Sequence, residues 1–258
     1  MISIISVLEE IDLGLKKNDK HYENLIETIK FLESKKKVLI LTTSNRGEWA
    51  VKELKEEPKS TRLAKAICEY LGSKKCKLIE VPNLKIYPCE GNVSHFDGNS
   101  CGTQKAKLKD KKKNPTGNHR CWRSVNNPDD ELWKISKELF ESDVVLFFGS
   151  IRWGQMNAQY QNLIERLTWL ENRHSTLNEE NIIKNISCGL IAVGQNWRGA
   201  EVLDVQKQVL SFFGFKIVDK LFWNWQYTKN KNDESQDSYK KSGKKFDDTF
   251  TLENPKKN

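Results

Sequence analysis

Three short stretches of this sequence gather the side chains that bind small molecules, and each follows an apolar run. Thr42-Thr43-Ser44-Asn45-Arg46-Gly47 is separated by an insertion at 47–59 from Ser60-Thr61, which open an amphipathic pattern. Hydroxyls, amide donors and a helix N-terminus together suit an anion such as a phosphate. Ordinary capping of the helix by Ser60 or Thr61 is the plainer use of the same residues. Gly149-Ser150-Ile151-Arg152-Trp153-Gly154 sets a tryptophan beside a glycine, fit for stacking on a flat ring or for plugging the end of a sheet. Gly194-Gln195-Asn196-Trp197 repeats the pattern of small, amide and aromatic residues. No Walker lysine motif and no Gly-x-Gly-x-x-Gly is present, which disfavours a nucleoside triphosphatase or a dinucleotide fold.

A second cluster lies at 85–130, where Cys89, Cys101 and Cys121 share a polar, glycine- and lysine-rich region with His95 and His119. Three thiolates and the His119 imidazole could close a zinc site; thiols that pack or form a redox pair are the alternative. Loops of this length inside a compact domain tend to be functional or disordered. Turn residues such as Asn92, Gly98, Asn99, Gly102 and Gly117 imply an ordered loop that folds over the ligand edge as a lid. The lysine run Lys105–Lys113 reads as a solvated flap, and Asp129-Asp130 as caps of the next helix.

The elements that must position these groups are legible in the hydrophobic pattern. Lys37–Leu41, Val144–Phe148 and Ser187–Val193 are short, largely apolar runs, as strands buried on both faces require, and Lys77–Val81 would be a further strand. Lys216–Val218 can be a last strand. Amphipathic patterns through Leu63–Leu71, Leu132–Phe140, Gln159–Glu171 and Val202–Phe213 alternate with them. The alternation predicts an α/β fold, a doubly wound parallel sheet with helices on both faces and right-handed crossovers. Its three equipped loops then share one edge, beyond the carboxyl ends of the strands, where such sheets bind ligands. Before this domain, expected over 36–228, Ile5, Leu8, Ile11 and Leu15, then Leu25, Ile29 and Leu32, predict a helical extension at 1–35. The tail 229–258 is polar and expected to be exposed and partly disordered.

The 258 residues are 30% charged, with a net charge of +8. Lysines are spread among glutamates, so the basic surface reads as solvation rather than a nucleic-acid site. No run approaches the roughly 20 apolar residues of a membrane span. The early acids Glu9, Glu10 and Asp12 break any secretory core, so a cytoplasmic protein with thiol cysteines is expected.

The run Phe148-Gly149-Ser150-Ile151-Arg152-Trp153-Gly154-Gln155-Met156-Asn157-Ala158-Gln159-Tyr160-Gln161-Asn162-Leu163-Ile164-Glu165-Arg166 resembles the signature of the NAD(P)H-dependent FMN reductase branch of the flavodoxin-like superfamily. There a strand ends in Thr-Pro-x-Tyr, and the helix after it carries Lys-x-Phe-x-Asp-Arg. This chain has Ser150 in place of the proline, Arg152 in place of the aromatic and Gln161 in place of the lysine. The resemblance spans about 36–220. It implies FMN, its phosphate at Ser44, Arg46, Ser60 and Thr61. The isoalloxazine would lie against Ser150, Ile151, Arg152, Trp153, Gly154 and Gln155, and against Gly194, Gln195, Asn196 and Trp197.

No acid–base residues of the protein's own are then needed, because hydride passes from NAD(P)H to the flavin and on to a small acceptor: a quinone, nitro compound, metal ion or free flavin. Arg152, near the pyrimidine edge, would tune the ring. Related iron–sulfur flavoproteins use a compact cysteine motif that is absent here. The resemblance also implies a homodimer or homotetramer. Two other readings stay open: an electron-transfer flavoprotein without nicotinamide activity, and a non-flavin basic binding module.

Overall fold

The computed structural model describes residues 20–54, 57–194, 197–226 and 235–249. In chain order it runs α1 (Lys20–Glu33), β1 (Val38–Thr42), α2 (Glu48–Leu54), α3 (Lys59–Leu71) and β2 (Cys76–Glu80). After the long insertion come α4 (Trp122–Asn126), α5 (Leu132–Leu139), β3 (Val144–Gly149) and a small hairpin, β4 (Ile151–Arg152) with β5 (Gln155–Met156). The chain continues through α6 (Ala158–Ser175), β6 (Ser187–Val193), α7 (Gly199–Phe212), β7 (Lys216–Trp225) and α8 (Gln236–Thr249).

Five strands form one sheet in the order β2-β1-β3-β6-β7, every pair parallel. That is the flavodoxin-like, doubly wound order, with the change of winding direction between β1 and β3. Successive residues of each strand face opposite ways, and the core divides accordingly. Val38 and Ile40 of β1, with Val144, Leu146 and Phe148 of β3, meet Leu63, Ala64 and Ile67 of α3 on one face. Leu39, Leu41, Val145 and Phe147 meet α5, α6 and α7 on the other.

The extension is used where the first face lacks cover. Leu25, Ile29 and Leu32 of α1 are buried in the same cluster as Leu221, Trp223 and Trp225 of β7. Trp223 Nε1 donates to Thr28 Oγ1 at 3.0 Å, and His21 stacks on Trp225 with centroids 4.7 Å apart. The described part of the extension is therefore a layer of this core. Ile5, Leu8, Ile11 and Leu15 lie outside the described residues.

Three elements differ from the pattern-based expectation. β7 is ten residues long, because a register shift between Cys188 and Leu190 lets residues 222–225 pair again. Its hydrophobic residues alternate too irregularly for a period-2 reading. The insertion at 47–59 holds a helix, α2, and the polar tail holds α8; α2 is only 7 residues long and α8 is mostly polar, so neither leaves much apolar pattern in the sequence. Among the described residues no helix is long and apolar enough to cross a membrane.

Candidate functional site

At the carboxyl edge of the sheet the exits of β1 and β3 are fastened to each other. Thr43 donates to Phe148 O twice, through its backbone N–H at 2.8 Å and its hydroxyl at 2.9 Å. Asn157, 1% exposed, joins both loops. Its side-chain amide donates to Thr43 O and to Asn45 Oδ1 (3.1 Å), while its Oδ1 accepts from Ser150 N–H at 3.0 Å. Its own N–H reaches Ser150 O at 2.9 Å. A Cβ on Gly149 would lie 2.6 Å from Met156 Cε and 2.9 Å from both Asn157 Oδ1 and Thr43 Oγ1, so only glycine allows this convergence.

Asn157 is the site residue that sequence reasoning missed. It stands at the N-cap of α6 without making a side-chain cap bond. An asparagine at that place ordinarily caps its helix; the Asn157 amide is instead spent across chain segments more than 100 residues apart.

The β3 exit turns back on itself as β4 and β5, with Ile151 paired to Met156 and Arg152 to Gln155. Trp153 (φ 50°) and Gly154 (φ 68°) form the two-residue tip, both at the positive φ of a type I′ turn. Trp153 is 90% exposed. Ile151 is buried in the core, so its side chain is not offered to a ligand, while Arg152 and Gln155 are exposed. The third loop meets this hairpin: a Cβ on Gly154 would lie 3.1 Å from Trp197 Cζ3 and 3.2 Å from Arg198 Cδ. Gly194, buried, donates to Trp225 O at 2.9 Å. Gln195 and Asn196 lie outside the described residues.

The other end of the edge is the β1 loop and the start of α3. Ser44 is nearly buried and accepts from Arg46 N–H at 3.2 Å. Ser60 and Thr61 are buried too, yet neither caps α3: the N-cap is Pro58, which has no side chain able to bond. The capping alternative is thereby excluded. No acidic residue occupies the first turn, which carries Lys59 and Arg62. Among the described residues the Oγ1 of Thr61, a residue 1% exposed, has no hydrogen-bond partner, and neither has Thr42 Oγ1 on the strand face that α3 covers. Buried hydroxyls are ordinarily satisfied. An uncapped, basic helix start beside partnerless hydroxyls fits the phosphate of FMN in donor set and charge.

The insertion, whose turns suggested a lid, is ordered and bonded along α6. Its ends are joined where Glu131 N–H donates to Lys85 O (2.9 Å) and Lys85 N–H to Glu131 Oε2 (2.8 Å). Between them the chain runs down α6: Asn162 reaches Ile86 O, Arg166 Tyr87 O, Asn172 Cys101 O and Arg173 Asn118 O. It sheathes a helix because α6 offers it a ladder of long polar side chains; among the described residues no side-chain hydrogen bond joins it to 42–46, 150–155 or 194–199.

The same contacts occupy the metal candidates. His119 Nδ1 is 2.7 Å from Ser136 Oγ, and burial, reinforced by Arg166, pushes its pKa down to about 3. Arg166 donates to Cys121 Sγ at 3.4 Å. Cys101 is pushed up to about 12 by burial and then by the neighbouring Cys121 and Cys89 thiols. Among the described residues no three His, Cys, Asp or Glu side chains form a group able to hold a metal ion, and all six cysteines are free thiols.

Asp130 is not chiefly a cap. It accepts from Arg166 at 2.7 and 2.9 Å, both side chains fully buried, and from Ser124 Oγ at 2.8 Å. Burial alone would raise its carboxyl; Arg166 overcomes this and holds it below its ordinary value. Asp129 pairs with Lys85 and Tyr87.

Two clefts lie away from the loop edge. One, of about 830 Å³, is bounded by His174, Lys207, Phe212 and Ile217 at the opposite edge of the sheet. The other, of about 470 Å³, lies between β2 and α5. Neither joins more than one strand-exit loop, so concavity and chemistry disagree here, and donor chemistry decides.

No family model and no curated protein matches this chain. Among solved structures it is similar to RosB with bound intermediate OHC-RP (8-demethyl-8-formylriboflavin-5'-phosphate), at 13% identity over 83% of this chain and 77% of that one, with a TM-score of 0.49. An azoreductase from Bacillus anthracis str. Sterne is also 13% identical, over 83% and 96% of the two chains, with a TM-score of 0.45. FerB, a flavoenzyme NAD(P)H:(acceptor) oxidoreductase from Paracoccus denitrificans, is 12% identical over 83% and 95%, with a TM-score of 0.41. All three lie below a TM-score of 0.5; the flavodoxin-like assignment of this chain rests on its strand order and its parallel pairing.

Proposed function

We propose that this protein is an FMN-dependent oxidoreductase that takes hydride from NAD(P)H and passes electrons to a small acceptor. The observation that carries the reading is the start of α3: uncapped, without an acid, and beside the buried, partnerless hydroxyl of Thr61. A bound FMN would supply the redox chemistry, accepting hydride from a nicotinamide and giving electrons to a second substrate.

The chain's own part is binding and positioning. Thr61 Oγ1, Ser44 and the first N–H groups of α3 would donate to the phosphate, with Arg46 and Ser60 beside them. Asn157 keeps the β1 and β3 exits at fixed separation, so phosphate end and ring end stay in register. The backbone of 150–155, the Trp153 indole and the third loop, 194–197, would border the ring. Arg152 would place positive charge where the ring gains electrons. An assembly of two or four copies belongs to the same proposal. The apolar face of α1 is spent on the sheet, which leaves other surfaces, such as exposed Val205 and Phe212 of α7, for such contacts.

A visible spectrum of the purified protein tests the reading. A flavin band that runs as FMN after heat release, and that bleaches with NADPH or NADH, is expected. A colourless protein that does not take up added FMN would overturn it; a flavin that neither nucleotide bleaches would reduce it to an electron-transfer protein.

A further inference from the structure

The ring end of the site carries more than a flat prosthetic group requires. Trp153 is 90% exposed at a hairpin tip and is held at φ 50°, a conformation that costs a non-glycine residue energy. Exposed indoles are costly to keep in water. Trp197, 45% exposed, packs against Gly154 so closely that a Cβ there would be 3.1 Å away. The two indoles are thus neighbours on one lip, contributed by two different strand exits.

Each indole also has an arginine next to it in sequence. The Arg198 guanidinium lies 5.8 Å above the Trp197 ring, and Arg198 is itself at φ 58°. Arg152 precedes Trp153 and is exposed. Among the described residues neither arginine makes an ion pair or a side-chain hydrogen bond, although this chain pairs many of its other cations, Arg120, Arg166 and Arg173 included. Glu201, in the first turn of α7, is the nearest acid in sequence and is not bonded to Arg198. Two exposed aromatic faces beside two uncommitted guanidinium groups are complementary to one ligand chemistry: a flat ring that carries negative charge.

We propose that Trp153, Trp197, Arg152 and Arg198 form a recognition platform for planar aromatic anions, and that one of the two substrates, hydride donor or acceptor, is drawn from that class. The ring stacks on the Trp153 indole, and its anionic group reaches Arg198 and Arg152. The platform's place at the mouth of the flavin pocket rests on the function proposed above; its chemistry rests on the side chains alone. Two sources share it: an acceptor such as a sulfonated quinone, and the adenosine 2′-phosphate half of NADPH.

Quenching of tryptophan emission in the full-length protein reads binding without turnover. Naphthoquinone sulfonate is titrated against its uncharged parent, and adenosine bisphosphate against adenosine, at low and high salt. The anion of at least one pair is expected to bind about fivefold or more tightly than its neutral partner, with the preference shrinking in salt. Arg198→Gln is expected to remove the preference, and Trp153→Ala to weaken both members of the pair. Which pair shows it identifies acceptor or nucleotide as the source.

Equal binding of charged and neutral rings, or a preference unchanged in Arg198→Gln, overturns the platform even in a protein full of FMN. Quenching that follows protein concentration rather than ligand would make the indoles a self-association surface and likewise overturn it. A clear anion preference in a protein that holds no FMN upholds the platform while removing the function proposed above.

Discussion

The insertion at 85–130 and the strand-exit loops use similar residues, glycine, asparagine, arginine and tryptophan, and use them in opposite ways. In the insertion the polar groups that face α6 are bonded to it, while its lysine-rich outer side is exposed. Arg166 alone engages Tyr87 O, Asp130, Ser124 and Cys121, and Asn172 closes on Asn99 and Cys101. At the strand exits one buried amide, Asn157, fixes the frame. Around it Trp153 is exposed under strain, and among the described residues Arg152 and Arg198 form no ion pair and the Thr61 hydroxyl has no partner. The insertion also keeps buried atoms without partners among the described residues, His119 Nε2, Arg120 Nε and Arg123 Nε; what distinguishes the strand exits is that their unspent groups include an indole and two guanidinium groups that reach solvent. Composition does not distinguish the two, because the difference lies in where the partners are.

The largest effect expected from breaking this contrast is in the sealed region. Asp130→Ala strands the Arg166 guanidinium in the core and should cost about 3–5 kcal/mol in urea unfolding. A loss below about 1 kcal/mol would show that the insertion is not sealed. Acid should open the same region. The His119 imidazole is neutral in the fold, its pKa pushed down to about 3 by burial and Arg166, so stability is complete above its ordinary value of about 6.5 and is lost as pH falls from there toward 3. Asp130, held below its ordinary carboxyl range, adds a loss as pH falls through its folded value. Urea midpoints measured across this range should decline toward acid, and His119→Gln should flatten the upper part of the decline. A pH-independent midpoint would contradict the burial of both groups.

At the open region the effects are smaller and fall on binding. Asn157→Ala should cost about 1–3 kcal/mol of stability, by leaving Ser150 N–H and Thr43 O without partners, and should weaken FMN about tenfold or more in a fluorescence titration. Unchanged FMN affinity would separate the loop frame from the ligand. Thr61→Val gives the sharper sign: stability unchanged or about 1 kcal/mol higher, since a partnerless buried hydroxyl is removed, with FMN affinity about tenfold lower. A destabilised variant with full affinity would place the hydroxyl in the architecture instead. Smallest of all, Trp153→Asn makes an Asn-Gly type I′ tip and should raise stability by up to about 1 kcal/mol, read as a shift of the thermal midpoint. A drop would mean that the indole packs on the protein after all.

The sequence by itself determined the layers. Apolar runs at β1, β3 and β6 and the helical patterns between them specify strands and crossovers, because burial on both faces and an apolar stripe leave direct marks in residue type. They also place Ser44, Ser60, Ser150, Arg152, Trp153, Gly194 and Trp197 on one edge, since every parallel strand must exit there. What the residue pattern could not carry is contact between distant segments. That Asn157 bonds to Thr43 and Asn45 rather than capping its helix, that Asp130 answers Arg166, and that the cysteine-bearing insertion follows α6 were decided only in the tertiary structure. Hydrogen bonds between side chains far apart in the chain leave no periodicity, and a polar residue looks the same in the sequence whether its partner is the protein, water or a ligand.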